Sequence, residues 1–226
     1  MTDIADRTLA PADLAPLAGG DAVTLINCTL DDAKLRDLDL TGWRFERCSL
    51  SKTDFATATL ELATFTHCRG AAASFHSAHL DDARFMASDF NNAVFRGAVL
   101  TSAAFKDCKL TGSDFTDARS TGTVFEDTLL VAAKLAGFSF RKDTLKGVDL
   151  SMADLAKCDL RDAEFERASL REANIDNARF EGADLRGADI SGLSLLAGAG
   201  RFKGAVISAA QAEIILSATG LKVRAR

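Results

Sequence analysis

From Leu25 to Leu195, 33 of the 35 positions divisible by five are Leu, Phe or Ile, the exceptions being Gly70 and Ser120. Neither an α-helix, with its apolar period of 3.6 residues, nor a strand, with its period of 2, produces this spacing. A phase held over so many units requires a solenoid, in which each unit covers the apolar surface of the one before it. From Val148 the chain reads VDLSM ADLAK CDLRD AEFER ASLRE ANIDN ARFEG ADLRG ADISG. Ala, Cys or Val leads each block, a mostly polar residue follows, and Leu, Phe or Ile stands third.

The blocks ADLAK, ADLRG and ADISG resemble the A(D/N)LXX unit of the pentapeptide repeat family, and the likeness extends over roughly residues 23–197. The resemblance implies an all-β solenoid, a right-handed quadrilateral β-helix of about eight to nine coils. Each pentapeptide would form one side of a square, and four would make a coil of 20 residues. Residues 1–22 then form an N-terminal cap segment, 23–197 the β-helix, and 198–226 a C-terminal cap with a helix over about 209–218.

The residue pattern fits that architecture. The third residue of each block and the residue two before it share a parity, so both point to one side of a short extended run. The leading column, from Val23 through Leu193, contains 18 Ala, as a bore already filled by large third-position side chains requires. Sorted by coil, ten of the 13 third-position Phe residues fall in two facing ladders, with rings about 4.8 Å apart if coils are spaced like strands. All five cysteines, Cys28, Cys48, Cys68, Cys108 and Cys158, stand in the inner column. They read as small hydrophobes rather than a disulfide or thiolate metal site, because no His shares the column and no compact ligand spacing occurs. No cofactor is implied.

Several positions depart from the pattern. Leu38 and Trp43 plug the inner column near the N-terminal end. Gly70 leaves a gap one side chain wide, for which a kink or coil offset is expected, as in family members where a Gly joins two stacks of coils. Ser120 is a second soft spot with an irregular backbone. Phe138 and Asp143 occupy inner positions meant for small groups, and Asp143 is expected at a corner, accepting backbone N–H bonds. The repeat restarts two residues late at Ile207, and Ser208 to Gln211 form a capping box. Ile207, Ile214, Ile215 and Leu221 are more apolar than a cap needs. The tail resembles the helix through which gyrase-binding members dimerise, which implies a homodimer through the C-terminal tail.

The sequence offers catalysis no foothold. His67, His76 and His79 all occupy outward positions with no nucleophile set against them, and no glycine-rich phosphate loop occurs. A net charge of −5 argues against direct nucleic-acid binding. No apolar run could span a membrane and no signal-peptide pattern opens the chain, so a cytoplasmic protein is expected. What remains is a surface. The chain resembles the gyrase-interacting quinolone-resistance subgroup (Qnr and MfpA type), whose acidic rods mimic DNA, and this implies DNA gyrase, a type II topoisomerase, as partner. The acidic excess lies between 148 and 192, and the candidate partner surface is Asp149, Asp154, Asp159, Asp162, Glu164, Glu166, Glu172 and Asp176. The phase admits a projecting loop, of the kind some members carry, only as an insertion of a multiple of five near Gly70 or Ser120. An apolar belt of Val94, Val99, Val124, Leu129 and Val131 is a second candidate surface, and an interaction scaffold with no topoisomerase partner is the alternative function.

Overall fold

The computed structural model describes residues 2–195, 199–218 and 220–222. Strands β1 (Thr2–Ala5), β2 (Val23–Ile26), β3 (Arg44–Glu46), β4 (Thr64–Thr66), β5 (Arg84–Met86), β6 (Ala104–Lys106), β7 (Val124–Glu126), β8 (Thr144–Lys146) and β9 (Glu164–Glu166) form a nine-stranded parallel sheet in chain order. From β2 onward the register advances by one 20-residue coil per strand, as in Phe45↔Phe65 and Phe65↔Phe85. The other three sides of the square are joined mostly by single parallel bridges with the same offset, such as Thr29↔Ser49, Lys34↔Asp54 and Asp39↔Thr59, and at one place by the two-residue pairing of Ala168–Ser169 with Ala188–Asp189. The fold is a parallel β-solenoid of the expected quadrilateral type.

The corners explain the five-residue period. Ala33 N donates to Leu30 O at 3.0 Å while Asp32 takes φ of 59°, which is the pattern of a type II turn. A residue in that conformation recurs at nearly every fifth position, and most are not glycine. Left-handed backbone costs an L-residue about 1–2 kcal/mol, a cost that inter-coil hydrogen bonds and the filled bore must offset.

Inside, the two Phe ladders stand as the pattern implies. Rings of Phe45, Phe65, Phe85, Phe105 and Phe125 stack at centroid separations of 4.7, 4.6, 4.7 and 5.0 Å. Those of Phe55, Phe75, Phe95 and Phe115 stack at 5.1, 4.9 and 4.7 Å. The ladders meet edge to face, as between Phe95 and Phe105 at 5.6 Å, the arrangement that ring quadrupoles favour. Trp43 is buried against Phe45 at 6.3 Å.

The inner-column Cys, Ser and Thr share a task that the sequence pattern does not announce. Cys68 Sγ lies 3.2 Å from Phe45 O, Ser88 Oγ 3.2 Å from Phe65 O and Thr53 Oγ1 2.7 Å from Leu30 O. Each donates to the carbonyl 23 residues back, on the preceding coil. A small donor at this position thus satisfies a carbonyl buried in the wall. All five cysteines are free thiols.

Both ends of the rod carry slips in phase. At the N-terminus Ile4 pairs with Leu25, an offset of 21, and Leu9 and Leu14 are buried in the core. The segment read as a cap outside the phase therefore continues the repeat at Ile4, Leu9 and Leu14, one residue out of step. A four-residue helix, α1 (Pro11–Leu14), and a 3-10 turn over Ala15–Leu17 complete that coil. At the C-terminus the Phe202 ring stacks on Phe180 at 5.0 Å and Val206 bridges Asp184, an offset of 22. The expected boundary at 197/198 lies outside the described residues. Helix α2 (Ala209–Ala218) begins with Ser208 N donating to Gln211 Oε1 at 2.8 Å and Gln211 N to Ser208 Oγ at 3.2 Å. Gln211 Nε2 also donates to Leu185 O and Ala188 O, each at 2.7 Å, sealing carbonyls of the last coil.

Two expectations about irregular positions need correction. Gly70 marks no kink. Its neighbours hold register through Ser49↔Arg69 and Arg69↔Asp89, and Gly70 N donates to Asp89 O at 2.7 Å. The gap is filled by the Phe90 ring from the next coil, whose Cε1 lies 2.2 Å from where a Cβ on Gly70 would stand. Asp143 is half-buried, and among the described contacts its carboxylate accepts no backbone hydrogen bond; burial alone raises its pKa above 3.8. The soft spot at Ser120 is real. Ser139 N turns to Ser120 Oγ at 3.3 Å, and β7 and β8 keep only the pairing Glu126↔Lys146. The same coil holds Phe138, whose buried ring stands 4.8 Å from Phe140 and 5.8 Å from Phe125 in a position meant for Ala.

Candidate partner-binding surface

With the bore filled, chemistry is confined to the four outer faces, and coil geometry decides which side chains share one. The sequence-predicted acidic residues do not form a stripe. Glu164 and Glu166 flank Phe165 on the strand face. Asp154 follows Lys134 and precedes Asn174 on the face opposite, and Asp149 and Asp159 lie on the two remaining faces. The set is a girdle around the C-terminal coils rather than a line along the rod.

Many of the second-position carboxylates have a local structural job. Asp149 Oδ1 accepts from Ser151 N at 2.9 Å, Asp154 Oδ1 from Ala156 N at 3.1 Å and Asp159 Oδ1 from Arg161 N at 3.3 Å. This is the Asx-turn geometry, and it fixes the corner that follows. Several carboxylates are also neutralised. Asp159 pairs with Arg161 at 2.5 Å, which lowers its pKa with help from the Arg161 N–H. Asp184 and Arg186 pair in the same way, and Glu126 is bracketed by Lys146 and Lys106 at 2.8 and 3.2 Å. Burial pulls the Asp114 carboxyl upward, but hydrogen bonds from Thr116 and Arg96 prevail and hold it at about 2. Asp162, Glu164, Glu166 and Asp176 enter no salt bridge among the described residues, and they are the carboxylates left free to face a partner.

The apolar belt is likewise dispersed. Val94 bridges Ser74 and Asp114, Val99 bridges His79 and Arg119, and Leu129 bridges Lys109 and Asp149 on three different faces. Val124, 53% exposed, pairs with Ala104 on the strand face. Only Val131 shares a side with another member, Leu129. Each valine or leucine therefore contributes a small apolar spot rather than a continuous patch. In the tail, Ile207, Ile214, Leu216 and Leu221 are exposed, while Ile215 packs on the core. No helix among the described residues is long and apolar enough to cross a membrane.

A parallel β-solenoid whose differentiated features all lie on its outer faces defines a repeat scaffold. The pentapeptide repeat region model matches residues 38–115 and 63–135, and the model for pentapeptide repeats in eight copies matches 123–162 and 163–195. The chain belongs to the pentapeptide repeat family. Among solved structures it is similar to trypsin-treated QnrB1, a plasmid-mediated fluoroquinolone resistance protein, at 21% identity and a TM-score of 0.76 over 87% of this chain and 97% of that one. Full-length QnrB1 gives 19% identity and a TM-score of 0.66 over 97% and 100%. HetL, involved in heterocyst differentiation regulation in the cyanobacterium Nostoc sp. strain PCC 7120, gives 22% and 0.57 over 90% and 84%. At these identities the likeness is one of fold. No curated protein matches the sequence.

Proposed function

We propose that this chain is a non-enzymatic, DNA-mimicking rod that binds a type II topoisomerase, DNA gyrase or topoisomerase IV. In this reading it modulates the enzyme or protects it from topoisomerase poisons, as a resistance or self-immunity factor acting in the cytoplasm. The observation that carries the reading is the charge density of the most acidic coil. The coil 148–167 bears six acidic and three basic side chains, a net of −3 over a rise of about 4.8 Å. That is one charge per about 1.6 Å, beside one per about 1.7 Å in duplex DNA. A surface built to grip phosphates with Lys and Arg would accept it. The exposed apolar tail residues Ile207, Ile214 and Leu221 support pairing of two copies through the C-terminal end, which would bring two acidic girdles to the centre of a longer rod.

The test is a gyrase supercoiling assay with the purified protein titrated in, with and without a poison. Inhibition, or relief of poison-stabilised cleavage, supports the reading when D162N/E164Q/E166Q/D176N weakens it. No effect on gyrase or topoisomerase IV overturns it. The second reading, a scaffold for a different protein, is favoured by the structural use of Asp149 and Asp154 in turns, which leaves fewer carboxylates for mimicry. Light scattering of the parent and of I214D/L221D checks the dimer, with a monomeric parent as the refuting result.

A further inference from the structure

On most faces a carboxylate near a neighbouring coil has acquired a cationic partner. Asp54 meets Lys34 and Arg36, Asp114 meets Arg96 and Lys134, and Glu126 meets Lys106 and Lys146. The corner held by Glu61 and Asp81 has no such partner among the described residues, like the free carboxylates of the C-terminal coils, but here a histidine stands with the pair. Glu61 and Asp81 hold equivalent corner positions on successive coils, tied by Leu62 N donating to Asp81 O at 2.9 Å. Beside them stands His79, whose backbone bridges Thr59 and Val99. The column through His79 runs Asp39, Thr59, His79, Val99, and its first cation is Arg119. None of Glu61, His79 and Asp81 enters a salt bridge or a side-chain hydrogen bond among the described contacts. Yet one ligand atom from each lies within 4.8 Å of the others.

Those facts set a narrow geometry. The imidazole and the carboxylates do not satisfy one another, yet their donor atoms converge. Ligand distances of about 2.0–2.2 Å for zinc place donors on opposite sides of an ion about 4 Å apart, so the gap has the size of a metal ion. The donor set, one imidazole nitrogen and two carboxylate oxygens, suits a divalent first-row transition ion better than calcium or magnesium, which take oxygen alone. The positions left over would hold water. The backbone beneath is pre-ordered by the inter-coil ladder, so little chain entropy opposes binding.

We propose that Glu61, His79 and Asp81 form a surface binding site for a divalent transition metal ion of the zinc class. The ion supplies the positive charge that the adjoining residues of the column, Thr59 and Val99, do not. The site lies away from the acidic girdle of the C-terminal coils and stands whether or not a topoisomerase is the partner.

The experiment titrates the full chain, free of any affinity tag, with Zn²⁺ against a chromogenic chelator, and with Co²⁺ by visible absorption. One equivalent per chain is expected. H79A and E61Q/D81N should each weaken binding by more than the roughly 10–100-fold that follows loss of a second-shell partner. H67A and H76A, which alter the other two histidines, should leave affinity unchanged, and far-UV circular dichroism should be the same for all variants because every substituted side chain lies on the surface. Absence of saturable binding at one equivalent, or binding that survives H79A, overturns the proposal.

Discussion

Gly70 and Phe90 give the sharpest test of how this rod is packed. A Cβ placed on Gly70 would stand 2.2 Å from Phe90 Cε1 and 2.4 Å from Cδ1, so G70A forces the ring to move. In its present seat the ring contacts Phe65 at 5.8 Å, Phe75 at 5.7 Å and Phe85 at 5.2 Å, near edge-on in each case. Such pairs contribute about 0.5–1.5 kcal/mol each, and overpacking of a filled core costs about 1–3 kcal/mol. G70A should therefore destabilise the rod by about 2–3 kcal/mol. F90L leaves a void beside Gly70 and costs on the order of 1–2 kcal/mol. In G70A/F90L the new methyl occupies that void, so the double variant should be more stable than the sum of the singles by about 2 kcal/mol, inside the range for residues in contact. Urea titrations followed by Trp43 fluorescence and circular dichroism measure all three. A G70A midpoint equal to that of the parent, or additivity within about 0.5 kcal/mol, would refute the account of Phe90 as the filler of the gap.

Other consequences follow from single residues. Because burial raises the Asp143 carboxyl above 3.8, the native state holds its proton more tightly than the unfolded chain, and stability falls as pH rises from 3.8 through the folded value. D143N should therefore melt at a higher temperature than the parent at pH 7, with the difference gone below pH 3.8; an equal melting temperature at both pH values contradicts this. Burial pushes the thiols of Cys108 and Cys158 up to about 11 and about 12. In the native protein they should react with a disulfide reagent at pH 8 orders of magnitude more slowly than in urea, since the thiolate is the reactive form. Met152 is exposed with φ of 57°. M152G should raise stability by about 0.5–1 kcal/mol, the relief of left-handed strain less the entropy of glycine, read as a shift in urea midpoint.

Much of this architecture was legible because a five-residue phase admits few explanations. Once each pentapeptide is one side of a square, the contents of the bore follow from parity, and the Phe ladders follow from counting in twenties. The helix Ala209–Ala218 was legible from Ser208 and Gln211 because a capping box is a local code. The N-terminal coil was not. Ile4, Leu9 and Leu14 keep the spacing of five, but a slip of one residue before Val23 takes them off the ruler, and only the pairing of β1 with β2 restores them. Of the candidate surface, residue identities could be read but not their company. Asp159 and Glu164 look alike in the repeat, yet one faces Arg161 and the other stands unpaired.

What the sequence determined by itself is the period, and with it the coil and the inward and outward columns. These depend on the identity of every fifth residue and on backbone geometry common to all coils. What only the tertiary structure decided is how departures from the period are absorbed and which outward side chains meet. Phe90 fills the place left by Gly70, Ser139 N turns to Ser120 Oγ, Gln211 seals the last coil, and Glu61, His79 and Asp81 converge. Each of these joins residues about 20 apart in the chain whose distance and orientation depend on the stacking of one coil upon the next. A pattern of period five says that such residues are neighbours, but contact between particular side chains is settled by rotamers, volumes and charges within a rise of about 4.8 Å.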